Sequence, residues 1–371
     1  MTFYPRDTNI IVLDPGSYST QLGKADYLAY PTISAKTVLN KQPVIDHGLI
    51  RDFNHLSRFW SLLLQKHGVI IEKNEFPTFL NIPITWSKND IELVIQIMFE
   101  NLNTPGLFLL QQPLATLYGV GIVSGVVIDI GYHTTDITPV IENNIIYNAQ
   151  KTVPIGGADI DNYLNQLLLQ QNMKYDIPTV IQIKEKSAIV AISAAAIDEI
   201  TEVTVEINEI SPLDGSTDST KPPNVVIGSI RSRCCEVLFD PTLVNKQCIS
   251  IAEAISVSIS QACEAYRRQP LWESLVLTGG CSKLNGINAR LEAEFQKLNA
   301  ISEHNVDNQG KEVKWIKIPD YMTSYKDCPA EAGFLGGAIS AKLVFGSGGQ
   351  GYISKSDYHE QGPSVYHSKG F

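Results

Sequence analysis

Positive charge is in short supply in this chain of 371 residues. Its 29 lysines and arginines face 39 aspartates and glutamates, a net charge of −10. A chain so acidic repels phosphate backbones, which argues against general nucleic-acid binding. It has no basic run of the nuclear-import kind. No stretch approaches the ~20 consecutive apolar residues that cross a bilayer, so no membrane contact is expected. Residues Met1 to Asp7 lack the cationic and apolar regions of a secretory signal. Cysteines are few: Cys234, Cys235, Cys248, Cys263, Cys281 and Cys328, none in a C-x-x-C spacing. They read as free thiols in a reducing compartment, not as a disulfide framework or a zinc site. The adjacent Cys234 and Cys235 read as small residues on a strand, one facing each side. No set of residues is assigned to a metal, and no low-complexity region is present.

What the chain does have is enough apolar material for a core, with 44% hydrophobic residues against 18% charged. Its length predicts two large domains or a few small ones. Strand-length apolar runs alternate with helix-period segments, the pattern of an α/β protein. Ile10 to Leu13 and Val126 to Ile128 read as strands, each running into an Asp-x-Gly. Leu275 to Leu277 reads as a third, running into Thr278-Gly279-Gly280. Helices are expected over Asp90 to Leu102, capped by Asn89 or Ser87, over Pro113 to Tyr118, and over 158–172. A long helix is expected from Ile249 to Arg268 and another from Gly286 to Asn299. Ser211 to Pro223, Ser302 to Lys311 and Gly346 to Gly351 read as surface loops.

An internal similarity carries the chemistry. Residues 10–20 read IIVLDPGSYST and residues 126–136 read VVIDIGYHTTD. Each is an apolar strand, then Asp-x-Gly, then hydroxyl-bearing residues leading into another strand, which predicts two related half-molecules. A strand, tight turn and return strand present backbone N–H groups that can hold phosphate oxygens, and glycine lets the backbone come close. Two opposed hairpins could clamp a triphosphate between two domains. An Asp at each strand end would face a divalent cation through water. The third glycine turn, at Gly279 and Gly280, suits the nucleoside side.

With these features in order, the chain resembles actin and the actin-related proteins over nearly all of its length. The most specific segments are QIMFENLNTPG (96–106), QPVIDHGLI (42–50) and the C-terminal ISKSDYHEQGPSVYHSKGF (353–371). The resemblance implies the actin–hexokinase–heat-shock ATPase fold, two related α/β domains around a nucleotide cleft. The first lobe would comprise 1–125 and 339–371, with a reduced pointed-end subdomain at 31–50. The second would comprise 126–338, with an inserted subdomain at about 158–248. Carried over residue by residue, the nucleotide site would use Asp14, Gly16 and Ser17 of the first hairpin and Asp129 and Gly131 of the second. Lys184 and Glu185 would meet adenine and ribose. Gly279 and Gly280 would be the adenosine-motif glycines, and Gln112 the glutamine that positions the attacking water.

The chain also departs from that pattern. Gln21 replaces the phosphate-binding lysine, Tyr18 a glycine and Tyr132 the metal-side aspartate. His133 replaces another glycine and Asp136 the water-orienting histidine. Hydrolysis is therefore expected to be very slow or absent, with a degenerate cleft or a structural bound ATP left as alternatives. Only Thr32 to Lys41 fill the place of a longer actin insertion that docks into the next filament subunit, so self-polymerisation is not expected. Residues 85–95 and 133–140 look most like the ninth actin-related-protein class of fungal SWI/SNF and RSC chromatin remodellers. That class implies a nuclear scaffold subunit, paired with a second actin-related protein on a helix of a Snf2-type remodelling ATPase. The docking groove would include Tyr118, Gly121, Asn143, Asn144, Ile339 and Leu343, although any of these could equally be core. The alternatives are a cytoskeletal cap of the dynactin pointed-end type and a self-assembling ATP-binding actin homologue.

Overall fold

The computed structural model describes residues 9–369 apart from 27, 200, 208–223, 302–311 and 347–350. The chain begins with β1 (Ile11–Pro15), β2 (Ser19–Lys24) and β3 (Ile33–Lys36). Two miniature hairpins follow, β4 (Val38–Leu39) with β5 (Gln42–Pro43) and β6 (Ile45–Asp46) with β7 (Leu49–Ile50). Then come α1 (Phe53–Lys66), β8 (Thr78–Ile82), α2 (Lys88–Gln96) and β9 (Gly106–Gln111). Helix α3 (Gln112–Gly119) leads to β10 (Gly125–Ile130), β11 (Thr135–Ile141), β12 (Asn144–Ile145) and β13 (Lys151–Val153). Next are α4 (Gly157–Gln170), α5 (Ile177–Ser187), the pair β14 (Val203–Glu206) and β15 (Asn224–Ile227), and α6 (Ile230–Arg233). Helices α7 (Ile251–Ala262) and α8 (Arg268–Trp272), strand β16 (Leu275–Thr278) and helix α9 (Ile287–Ile301) complete this half. The chain ends with α10 (Ala332–Gly346), β17 (Ile353–Ser354), α11 (Lys355–Gln361) and α12 (Val365–Lys369).

Two sheets organise these elements, in the orders β17-β9-β8-β1-β2-β3 and β12-β11-β10-β16, with β13 also pairing β11. The internal repeat is structural. In the first sheet Leu13 pairs Leu22, Asp14 pairs Gln21 and Pro15 pairs Thr20. In the second, Ile128 pairs Ile137, Asp129 pairs Asp136 and Ile130 pairs Thr135. Each first strand also takes a parallel neighbour, β8 for β1 and β16 for β10.

Each sheet has its own apolar core, and a third cluster joins them. Val12 and Phe79 from the first sheet meet Val127 and Val276 from the second there, with Ala115 and Leu117 of α3 and Phe334, Leu335 and Ala338 of α10. Helices α3 and α10 touch backbone to backbone. A Cβ at Gly336 would stand 1.7 Å from the Ala115 carbonyl oxygen, and one at Gly119 would stand 2.1 Å from that of Ala332. Only glycine permits that approach. Helix α10 runs through residue 339, where the sequence reading divides the lobes.

Local signals place several helix starts. Ser87 caps α2 in a reciprocal capping box with Asp90, and Ser250 does the same for α7 with Glu253. The expected helix over Ile249 to Arg268 is broken. It ends at Ala262, and Cys263 is extended at φ −160 and ψ 171. Arg268 turns back to bond the Ser260 and Cys263 carbonyls at 2.8 and 3.2 Å, closing the helix end. Pro270, in α8, has no N–H for a continuous helix to use. Cys234 and Cys235 are not on a strand either. They open a 3₁₀ turn, Cys234–Leu238, that follows α6 directly, and both side chains enter the second lobe's core. Two expected loops, 211–223 and 302–311, lie outside the described residues, as do 347–350 of the third, whose Gly346 ends α10.

Candidate functional site: a cleft between two hairpins

A cavity of about 720 Å³ lies between the two lobes. All ten residues assigned to a nucleotide site line it: Asp14, Gly16, Ser17, Gln112, Asp129, Gly131, Lys184, Glu185, Gly279 and Gly280. The two hairpin turns have the same geometry. The Gly16 N–H donates to the Ser19 carbonyl at 3.0 Å and the Gly131 N–H to that of Thr134 at 2.9 Å. Gly279, at φ +83, follows β16, and a Cβ there would fall 2.2 Å from Asp129 Oδ1. The third glycine turn thus lies directly against the second hairpin's aspartate.

Half-buried carboxyls concentrate where the hairpins converge. Asp14 is pushed up to about 6 by burial, with Gln112 and Asn81 opposing the rise and the charge of Glu331 adding to it. Asp129 is pushed up to about 7 by burial and then by the charges of Asp136 and Asp14. Asp136 is raised by burial too, while the Thr152 and Thr134 hydroxyls that donate to it pull the other way. The Gln112 side-chain amide donates to Asp14 Oδ1 at 2.8 Å and to the Pro15 carbonyl at 2.9 Å. Lys184 pairs with Asp161 at 2.8 Å, donates to the Gly157 carbonyl at 3.3 Å, and stands 5.6 Å from the Tyr132 ring centre. Gln21 donates to Glu331, whose other oxygen is 3.4 Å from Lys283 Nζ.

The turns also touch each other. Tyr18 of the first hairpin and Tyr132 of the second have ring centres 4.6 Å apart. Burial pushes the Tyr18 hydroxyl up to about 12, helped by the charges of Glu185 and Asp161, and raises Tyr132 further. A third segment closes on them. His47 and Gly48 form the two-residue turn of the β6–β7 hairpin, at φ +52 and +75, the left-handed pair that such tight turns require. The Gly48 N–H donates to Ser17 Oγ at 2.9 Å, so the first hairpin's serine is already engaged. The His47 ring stacks on His133 at 4.2 Å, and Asp46 Oδ1 lies 3.7 Å from His133 Nε2.

The sequence reading uses this third segment as a mark of resemblance but gives it no place in the site, and it gives Asp161 and Glu331 none either. Asp-His-Gly between two short apolar pairs does signal a tight turn. Nothing in the sequence shows that the turn lands on the second hairpin.

Of the six groove positions, Tyr118 lies in α3 and Ile339 and Leu343 lie in α10, and the two helix backbones meet at Ala115–Gly119 and Ala332–Gly336. Tyr118 and Ile339 are half-buried against the shared core, and Leu343 is 69% exposed. Asn143 lies in the tight turn between β11 and β12, next to Asn144, and its N–H donates to the Val123 carbonyl in the loop that follows Gly121.

The family model for actin matches residues 25–212 and 218–371. This chain belongs to the actin family. The fold accords with that assignment: two related α/β halves enclose the cleft, as the sequence resemblance implies. Similar to the chain are Actin-related protein 7 of Arabidopsis thaliana, 31% identical over 88% of this chain and 84% of its own length, and its namesake in indica rice, 29% identical over 89% and 86%. The SWI/SNF and RSC complexes subunit arp9 of Schizosaccharomyces pombe is 27% identical over 89% of this chain and 79% of its own length.

Proposed function

We propose that this actin-family protein is a non-catalytic scaffold subunit of a nuclear chromatin-remodelling complex of the SWI/SNF or RSC type. The likeness to a subunit of those complexes supports the setting. The contact between Tyr18 and Tyr132 across the phosphate turns carries the non-catalytic part. The cavity keeps room for a nucleoside beside Lys184, Glu185 and Gly280, over which there is open space. The hairpin end does not fit a metal-bound triphosphate. Two rings meet across it, Ser17 is engaged by Gly48, Gln112 is spent on Asp14, and Lys184 is held by Asp161. Gln21 supplies no charge where a cation would offset the phosphates, a difference of about 1–3 kcal/mol per charged hydrogen bond. Turnover there needs groups that this chain has replaced.

In this reading function resides in surfaces. A groove beside α3 and α10 receives an amphipathic helix of a Snf2-type ATPase, alongside a second actin-related protein. Leu343 is the apolar side chain that such a helix would cover. The test is binding of that helix to the Leu343→Asp variant. Because Leu343 is mostly exposed, the variant should melt with the wild type and lose the helix; retained binding removes the groove assignment.

A further inference from the structure

The contact between the β6–β7 turn and the second hairpin brings together three metal-ligating side chains from opposite sides of the cleft. Asp46, His47 and His133 each offer one ligand atom, and the three atoms lie within 4.8 Å of one another. We propose that these residues bind one late first-row divalent cation, zinc being the type case, which staples the small hairpin of the first lobe to the phosphate-turn hairpin of the second.

Two imidazoles and a carboxylate are the donor set that zinc and its neighbours prefer, and three protein ligands leave a fourth position for water. His47 Nδ1 lies 2.7 Å from Asp46 Oδ1, and His133 Nε2 lies 3.7 Å from the same oxygen. Donors on a tetrahedral zinc are roughly 3.4 Å apart, given bonds of about 2.0–2.1 Å. Two of these donors must therefore separate slightly and the third must approach. The rings are stacked only 20° from parallel, so their lone pairs do not yet converge. His47 is free to turn, with half its side chain in solvent, whereas Asp46 and His133 are about three-quarters covered. On binding, the metal takes the place of the proton shared between His47 Nδ1 and Asp46, and that proton moves to the other ring nitrogen or to water.

The surroundings hold the ligands in place. Arg51 donates to Asp46 Oδ2 at 2.9 and 3.2 Å, which fixes the carboxylate and leaves Oδ1 facing the histidines. The backbone of the turn is anchored as well, since Thr85 and Trp86 donate to the Gly48 carbonyl at 2.9 and 3.1 Å. The positive charge of Arg51 opposes a second cation, so the affinity is expected to be moderate, not that of a four-cysteine site.

The experiment is an equilibrium titration of the chelator-treated full chain with zinc alone, followed by a thermal melt. One zinc per chain and a raised Tm are expected. His47→Asn keeps a residue that tolerates a left-handed turn. It and His133→Gln should each weaken binding by about 100-fold or more while melting near the metal-free wild type. His133→Cys should still bind, and its cobalt form should gain a thiolate-to-metal absorption that the wild type lacks. Two results overturn the site: no saturable zinc binding by the wild type, or undiminished binding by the double variant His47→Asn/His133→Gln.

Discussion

Replacing Asp129 with asparagine should make the protein more stable at neutral and alkaline pH. Asp129 is a half-buried carboxyl in the cleft wall, raised from 3.8 to about 7, and Asp14 beside it is raised to about 6. A folded value above the unfolded one means that the unfolded state ionises first. The stabilisation is fully present below about pH 4 and is lost progressively as pH rises from there to about 7. For Asp129 the difference corresponds to about 4 kcal/mol, a large part of the ~5–15 kcal/mol that holds a typical domain together. Because the Asp14 charge contributes to the rise at Asp129, the two titrate as a pair and their effects do not simply add. Asp129→Asn preserves shape against Gly279 while removing the charge. Urea unfolding from pH 4 to pH 8 is the assay. The variant should match the wild type at pH 4 and exceed it by a few kcal/mol at pH 8. Parallel curves across that range would show that the cleft holds an ionised Asp129 at no cost.

Gly279→Ala should cost roughly 2–5 kcal/mol, because the added Cβ meets Asp129 at a left-handed backbone position; a melt within a degree of the wild type would refute it. Glu236→Ala strands Arg290, a buried guanidinium that Glu236 holds at 2.7 and 2.8 Å, and should cost about 3–5 kcal/mol by denaturant titration. A small change there would mean that Glu294 alone satisfies the arginine. With MgATP, the wild-type chain should release phosphate no faster than a buffer blank, and steady magnesium-dependent release would contradict closure of the hairpin end.

The hairpins were legible because their signal is local and repeated: an apolar strand, Asp-x-Gly and hydroxyl residues appear twice, and the ladder then imposes the same register. The start of α2 was legible as one of two candidate caps, Ser87 and Asn89, and Ser87 proves to be the cap, with its acidic partner Asp90 three positions on. The break at Cys263 was not. It depends on an arginine folding back across five residues to carbonyls that a continuous helix would have used. The adjacent cysteines were misplaced because two small apolar residues fit a buried helical turn as well as a strand. The sequence showed a tyrosine in each phosphate turn but not which side chains meet across the cleft. The pairs Tyr18 with Tyr132, His47 with His133 and Gln21 with Glu331 join remote segments that only the folded sheets bring together.

The central claim is that this actin-family chain works as a subunit of a remodelling complex and not as an ATPase or a filament component. The most direct measurement is affinity purification of the tagged chain from its native cell, with mass spectrometry of the proteins that accompany it. The account predicts a Snf2-type ATPase and a second actin-related protein in stoichiometric amounts. Recovery of dynactin components, or of homopolymers of the chain itself, would contradict it.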